Sequence, residues 1–285
     1  MSAPLLEVRS LRVEYDADRR LFARRRFSAL EDVSFELHAG ETLGLVGESG
    51  SGKSTLARAL LRLIPAAGGE VLWRGEDLLR LGRRPLRERR RDLQIVFQDP
   101  YASLDPRMTV AEILAEPLRI FEPAAGRRER GARIERMLER VGLARWILGH
   151  YPHEFSGGQC QRIGIARAMI SGPSLLVCDE PVSSLDVSIQ GQIVNLLADL
   201  QRETGMAMLF ISHNLAVVRH LSHRVLVMHR GRLVEVATRD ALFTAPAHPY
   251  TRSLLAAIPT IPAPGGAPRS GVLGYPCGMK PGERR

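Results

Sequence analysis

The sequence is short of cysteine, of lysine and of long apolar runs. Its three cysteines, Cys160, Cys178 and Cys277, are odd in number and widely spaced. That excludes a disulfide framework or a four-cysteine metal site built from this chain, and it suits a reducing compartment. No stretch approaches the roughly 20 apolar residues that span a bilayer, and Met1 to Ser10 lacks the apolar centre of a secretion signal. Work at a membrane would need other subunits to cross it. Lysine occurs only as Lys53 and Lys280, so the formal charge of +9 rests almost wholly on arginine. Such a balance suits phosphate, anionic lipid or nucleic acid as partners, and a solvated arginine-rich surface produces it equally well.

What is present is enough for a folded enzyme. With 285 residues, 45% of them hydrophobic and 25% charged, the chain has room for one large domain, a buried core and an appendage. Leu5 to Tyr15, Asp32 to His38 and Glu41 to Val46 read as strands, and Lys53 to Leu63 carries apolar residues at helical spacing until Pro65 stops it. After a strand at Leu93 to Phe97, Thr109 to Phe121 and Arg127 to Val141 read as an all-helical insertion. Strands then return at Ser174 to Cys178, Ala207 to Ile211 and Arg224 to Met228, alternating with helices at Val187 to Glu203 and Leu215 to Leu221. That alternation predicts an α/β fold on a parallel sheet. His229-Arg230-Gly231-Arg232 reads as a hairpin turn, which makes part of the fold antiparallel. The Pro- and Gly-rich tail from Pro259 is expected to be extended or disordered.

Gly47-Glu48-Ser49-Gly50-Ser51-Gly52-Lys53-Ser54-Thr55 satisfies the GxxxxGK[ST] pattern between a strand and a helix. The glycines let backbone N–H groups converge on phosphates at the positive end of the helix. Lys53 is expected to reach the β- and γ-phosphates, and Ser54 to give its hydroxyl to Mg²⁺. Leu175 to Glu180 (LLVCDE) ends a buried strand in two carboxylates, on the sheet edge where open α/β sheets bind ligands. Asp179 is expected to hold the Mg²⁺, and Glu180 to orient and polarise the attacking water. Phe155-Ser156-Gly157-Gly158-Gln159-Cys160-Gln161-Arg162 precedes a helix expected from about Gln161 to Ser171, and its two glycines form a second anion-binding nest. A chain with one phosphate loop has no evident use for a second nest unless that nest completes the site of a partner molecule.

The order of phosphate loop, Gln98, SGGQ, strand-Asp-Glu, Ser184-Leu185-Asp186 and His213 resembles the ABC transporter ATPases over roughly residues 5 to 245. The resemblance implies a P-loop NTPase fold: a RecA-like mixed sheet with an antiparallel part, an all-helical subdomain and a short C-terminal extension. The expected divisions are 1–97 and 163–245 for the RecA-like core, 98–162 for the helical subdomain, and 246–285 for the extension. By resemblance, Ser156, Gly157, Gly158 and Gln159 would meet the ATP of a partner subunit, and Gln98 would touch Mg²⁺ or water and sense membrane subunits. Asp186 would communicate across the dimer and His213 would bond the γ-phosphate. Tyr15, at the end of the first strand, is the expected adenine-stacking aromatic, with Phe22 and Phe27 as alternatives. Cys160 stands where the family more often has a basic residue.

Pro100 to Val110 (PYASLDPRMTV) and His248 to Pro259 (HPYTRSLLAAIP) are similar to the oligopeptide/dipeptide importer branch, as is the basic insertion Asp16 to Phe27. That likeness implies a second ATPase subunit, more often a heterodimer than a homodimer, two integral-membrane permeases and, indirectly, an extracytoplasmic solute-binding protein. The place implied is the cytoplasmic face of a bacterial inner membrane, and no nucleic-acid partner is expected. The implied substrates are short peptides, with nickel, glutathione or another small solute as alternatives. Relatives with a cysteine-bearing tail can hold an iron–sulfur cluster. Only Cys277 stands in this tail, so no cluster is expected.

Overall fold

The computed structural model of the chain describes residues 3–16 and 26–257. Residues 17–25, which include Phe22 and most of the basic insertion, lie outside the described residues, as do 258–285 with Cys277. In chain order the elements are β1 (Leu6–Asp16), β2 (Arg26–Leu37), β3 (Thr42–Val46), α1 (Lys53–Leu60), β4 (Gly68–Trp73), β5 (Glu76–Asp77), α2 (Arg83–Arg89), β6 (Leu93–Val96), α3 (Val110–Phe121) and α4 (Arg127–Arg140). Then follow α5 (Gly157–Met169), β7 (Leu175–Asp179), α6 (Val187–Thr204), β8 (Ala207–Ile211), α7 (Leu215–Leu221), β9 (Arg224–His229), β10 (Arg232–Thr238), α8 (Arg239–Thr244) and α9 (Pro249–Ala256).

The central sheet runs β10-β9-β3-β8-β7-β6. From β9 to β6 its strands are parallel, and β10 folds back antiparallel on β9. Arg230 (φ 49°) and Gly231 (φ 78°) make the reversal, the two left-handed residues that a tight hairpin needs. β3, β7 and β8 are buried at every position, as strands covered on both faces must be. Alternate side chains divide the core. Leu43, Leu45, Leu175, Val177, Leu209 and Ile211 pack with Leu56 and Leu60 of α1 and with the antiparallel sheet β2-β1-β4-β5. Leu176, Cys178, Met208 and Phe210 pack with the side of the molecule built by α3, α5, α6 and α7.

Two expectations are corrected. The helix expected from Gln161 starts at Gly157 instead. Ser156 caps it, its Oγ accepting from the Gln159 N–H at 3.4 Å while Gln159 Oε1 accepts from the Ser156 N–H at 3.0 Å, and this reciprocal capping box brings both glycines into the first turn. The strand expected from Asp32 begins at Arg26, because Phe27 and Ser28 pair with Tyr15 and Glu14 of β1 across irregular register. β4, β5 and α2 have no counterpart in the sequence reading. β4 opens on Gly68-Gly69 and is placed by its pairing with β1, a long-range contact that local periodicity does not carry.

Candidate active site

The site is built on the edge of the central sheet where β3, β7 and β8 end. After Val46 the chain turns at Gly47 (φ 155°), where a Cβ would lie 2.2 Å from the Met228 carbonyl oxygen. Only glycine lets the loop pass so close to β9. Gly52 (φ 108°) stands at the N-terminus of α1, which has no side-chain cap, leaving its first N–H groups free for a ligand's oxygens. Lys53 opens the helix and is 5% exposed. Its Nζ donates to the carbonyls of Gly47 (2.9 Å) and Glu48 (2.8 Å). Burial pushes the ammonium pKa down, against the opposing pull of the Glu180 and Asp179 carboxylates.

Those carboxylates come from β7. Asp179 is buried and its Oδ1 accepts from Ser54 Oγ at 2.8 Å. Burial pushes its carboxyl pKa up, while the Ser54 hydrogen bond and the charges of Arg58 and Lys53 pull the other way and Glu180 adds repulsion. Glu180 takes a left-handed backbone (φ 49°), unusual for a residue with a Cβ. Its N–H donates to Ile211 of β8 at 3.1 Å, and its Oε2 lies 3.1 Å from Nδ1 of His213, which follows β8. A carboxylate held against an imidazole at the edge of a cavity can accept or shuttle a proton.

The cavity, of about 630 Å³, is lined by Ser49, Gly50, Gly52, Lys53, Ser54 and Thr55 of the loop and helix, by Gln98 and Glu180, and at its mouth by Tyr15 and Phe27. These two aromatics face one another across β1 and β2 and are 41% and 60% exposed, so a planar base can meet either. A second cavity, of about 750 Å³, lies along Gln98, Asp179, Ser184 and Arg167, so Gln98 stands between the two. Gly47, Glu48 and Ser51 form the base of the loop without lining the first cavity.

Ser156, Gly157, Gly158, Gln159 and Asp186 do not line that cavity. They gather elsewhere: a Cβ on Gly157 would lie 3.3 Å from Leu185 Cδ2, and one on Gly158 only 2.6 Å from Ile189 Cγ2. The nest is therefore packed on the turn that carries Asp186, which is exposed and precedes α6. Sequence reasoning missed Glu31, Arg230 and Gly231, which also line the cavity. The Gly231 N–H donates to the Ser51 carbonyl (2.9 Å) and the Glu31 N–H to the Gly231 carbonyl (2.8 Å). Only the placement of β9 beside β3 brings this hairpin to the loop, so no local signal was available.

Cys160 is fully buried and donates its thiol to the Pro152 carbonyl at 3.2 Å. Burial pushes its pKa up to about 11, so the thiolate is scarce at neutral pH. Cys160 and Cys178 are therefore expected to resist a thiol-specific reagent at pH 8 in the native chain and to react on unfolding. Mass mapping of labelled cysteines checks this.

The donors near Ser54 are all oxygen. The Ser54 hydroxyl and Asp179 carboxylate sit together and the Gln98 amide lines the same cavity, a hard set that fits Mg²⁺ shared with phosphate oxygens.

The family model described as ABC transporter matches residues 30–183, and that described as oligopeptide/dipeptide transporter, C-terminal region, matches residues 234–274. The chain is 53% identical over 264 residues to the oligopeptide transport ATP-binding protein OppF of Salmonella typhimurium, covering 91% of this chain and 79% of that protein. It is 54% identical over 258 residues to the glutathione import ATP-binding protein GsiA of Escherichia coli O6:H1, covering 90% of this chain and 41% of that protein. Among solved structures, the dimeric bacterial ABC transporter cassette MJ0796 superposes with a TM-score of 0.74 at 28% identity, covering 82% of this chain and 98% of that one.

Proposed function

Because the chain belongs to the ABC transporter ATPases and carries the oligopeptide/dipeptide C-terminal region, we propose that it hydrolyses ATP in a site shared with a second ATPase subunit and so drives uptake of short peptides. The observation that carries this is the separation of two anion sites. Lys53, Ser54 and Glu180 line one cavity, with Asp179 bonded to Ser54 and His213 held against Glu180, while Ser156, Gly157 and Gly158 do not line it. A nest on one subunit then covers the phosphate loop of the other, and each ATP lies between two chains.

In that site the loop amides and Lys53 hold the phosphates, and Tyr15 or Phe27 stacks on the adenine. Ser54, Asp179 and Gln98 are the residues that would hold Mg²⁺, whose charge offsets that of the β- and γ-phosphate oxygens. Glu180 accepts the proton of the attacking water, and His213 orients that carboxylate and bonds the γ-phosphate. Serine and amide donors of the partner's nest stabilise the charge that gathers on the transferred group. Asp186 communicates across the dimer between the two sites. ATP binding closes the pair, and hydrolysis with product release opens it.

Gln98, between the cavities, transmits that cycle to two integral-membrane permeases, and the chain sits peripherally on the cytoplasmic face of a bacterial inner membrane. A heterodimer of ATPases is the working pair. Among the described residues no helix is long and apolar enough to cross a membrane. Peptides are preferred over glutathione because the match to OppF spans far more of that protein than the match to GsiA. Affinity purification from native membranes tests the assembly. Two permeases and a second ATPase are expected with the chain, and recovery with nucleic acid or ribosomes and no permease would overturn it.

A further inference from the structure

The C-terminal helix reaches back to the phosphate loop. Glu235 of β10 accepts from the N–H groups of Ala247 (2.8 Å) and His248 (3.0 Å), fixing where the chain enters α9. His248 Nδ1 then accepts from the Tyr250 N–H at 3.1 Å, and Pro249 occupies the first helical position, so the helix start is capped and its φ preset. Tyr250 leaves this anchored turn with its ring stacked on His229, centroids 4.1 Å apart and planes at 24°. Its phenol oxygen accepts from the backbone N–H of Glu48 at 3.1 Å.

That N–H belongs to the peptide joining Gly47 to Glu48, and the carbonyl of the same peptide accepts from Lys53 Nζ at 2.9 Å. A peptide unit is planar, so its N–H and C=O turn together. The plane is thus gripped at both ends, by Tyr250 on one side and by the phosphate-binding lysine on the other. Gly47, with no Cβ and φ 155°, gives the plane little resistance of its own to rotation.

We propose that Tyr250 is a positioning residue of the nucleotide site: it fixes the Gly47–Glu48 peptide and through it Lys53, which makes the C-terminal extension part of the ATP-binding machinery. This rests on the reading that the loop binds ATP. Tyr250 touches no phosphate; it acts on ATP through the loop. The stack on His229, the last residue of β9, ties the same helix to the Arg230-Gly231 turn in the cavity wall.

Tyr250→Phe keeps the ring and removes only the hydroxyl, which accepts from the Glu48 N–H and also meets the Glu48 carboxylate. Titration of the full-length wild-type and variant chains with Mg-AMP-PNP, a non-hydrolysable ATP analogue, is expected to give a Kd about five-fold weaker for the variant, the usual effect of one lost hydrogen bond. In the assembled transporter KM for ATP is expected to rise by the same factor, with kcat within about two-fold. A variant with a lowered melting temperature and unchanged Kd and KM makes Tyr250 a structural strut only and overturns the proposal. A wild-type chain that does not bind the analogue overturns the ATP reading itself, and the proposal with it. Amide exchange in the nucleotide-free wild type provides a test independent of any variant. Glu48 is expected to be protected, and exchange as fast as in an open loop would show that the hydrogen bond does not form.

Discussion

Glu180→Gln is expected to leave ATP binding intact and to slow hydrolysis in this chain's own site by about 10²- to 10⁴-fold, the range in which a positioned base contributes. The amide has the size of the carboxylate and can still face His213, where Oε2 and Nδ1 lie 3.1 Å apart, so the cavity keeps its shape. What it loses is the capacity to take a proton from water. The left-handed backbone at Glu180 (φ 49°) and its bond to Ile211 aim the side chain along the end of β7, and neither depends on the side-chain charge. Nucleotide binding measured beside phosphate release separates the two effects. Undiminished hydrolysis would remove Glu180 from the mechanism.

Gly157→Asp is expected to do the opposite in space: to spare the chain's own nucleotide and disable the site of its partner. Gly157 does not line the chain's own cavity, and its φ lies outside the left-handed region, so a side chain is tolerated there. The nearest atom a Cβ would meet is Leu185 Cδ2 at 3.3 Å, the end of a flexible side chain. An acidic residue in the first turn of α5 also suits the helix dipole, so the fold should stand. In the proposed shared site, however, the carboxylate would set a like charge against the partner's γ-phosphate. A loss on the order of 10²- to 10³-fold in phosphate release at that facing site is expected, the scale on which removing a preorganised donor acts. ATP affinity of the isolated chain should be unchanged, and full turnover of the assembled pair would contradict a shared site.

Much of this was legible in the sequence, for reasons that differ by segment. The phosphate loop was readable because backbone geometry forces its composition: Gly47 and Gly52 sit where a Cβ would collide with the Met228 and Ala29 carbonyls. Asp179 and Glu180 were readable because β7 is apolar on both faces and ends in charge. Gln98, Asp186 and His213 carried no local signal and were placed through family resemblance. The structure adds that His213 meets Glu180 and that Gln98 stands between two cavities. What stayed hidden depends on contacts distant in sequence. Arg230 and Gly231 enter the cavity wall only because β9 pairs with β3, and Tyr250 meets Glu48 across 202 positions. Tyr15 is legible as a candidate because it falls at the end of the first strand. Its counterpart Phe27 proves equally placed because β2 extends further back than its apolar pattern suggested.

The shared site is tested most directly by the ATPase rate of the purified chain, first alone and then with its partner ATPase and permeases in lipid, with Glu180→Gln as control. A low rate alone and strong stimulation on assembly are expected, because in the proposed shared site the isolated chain would lack the nest supplied by its partner. Full activity alone, unchanged by those partners, would contradict the shared site and make the chain a self-sufficient ATPase.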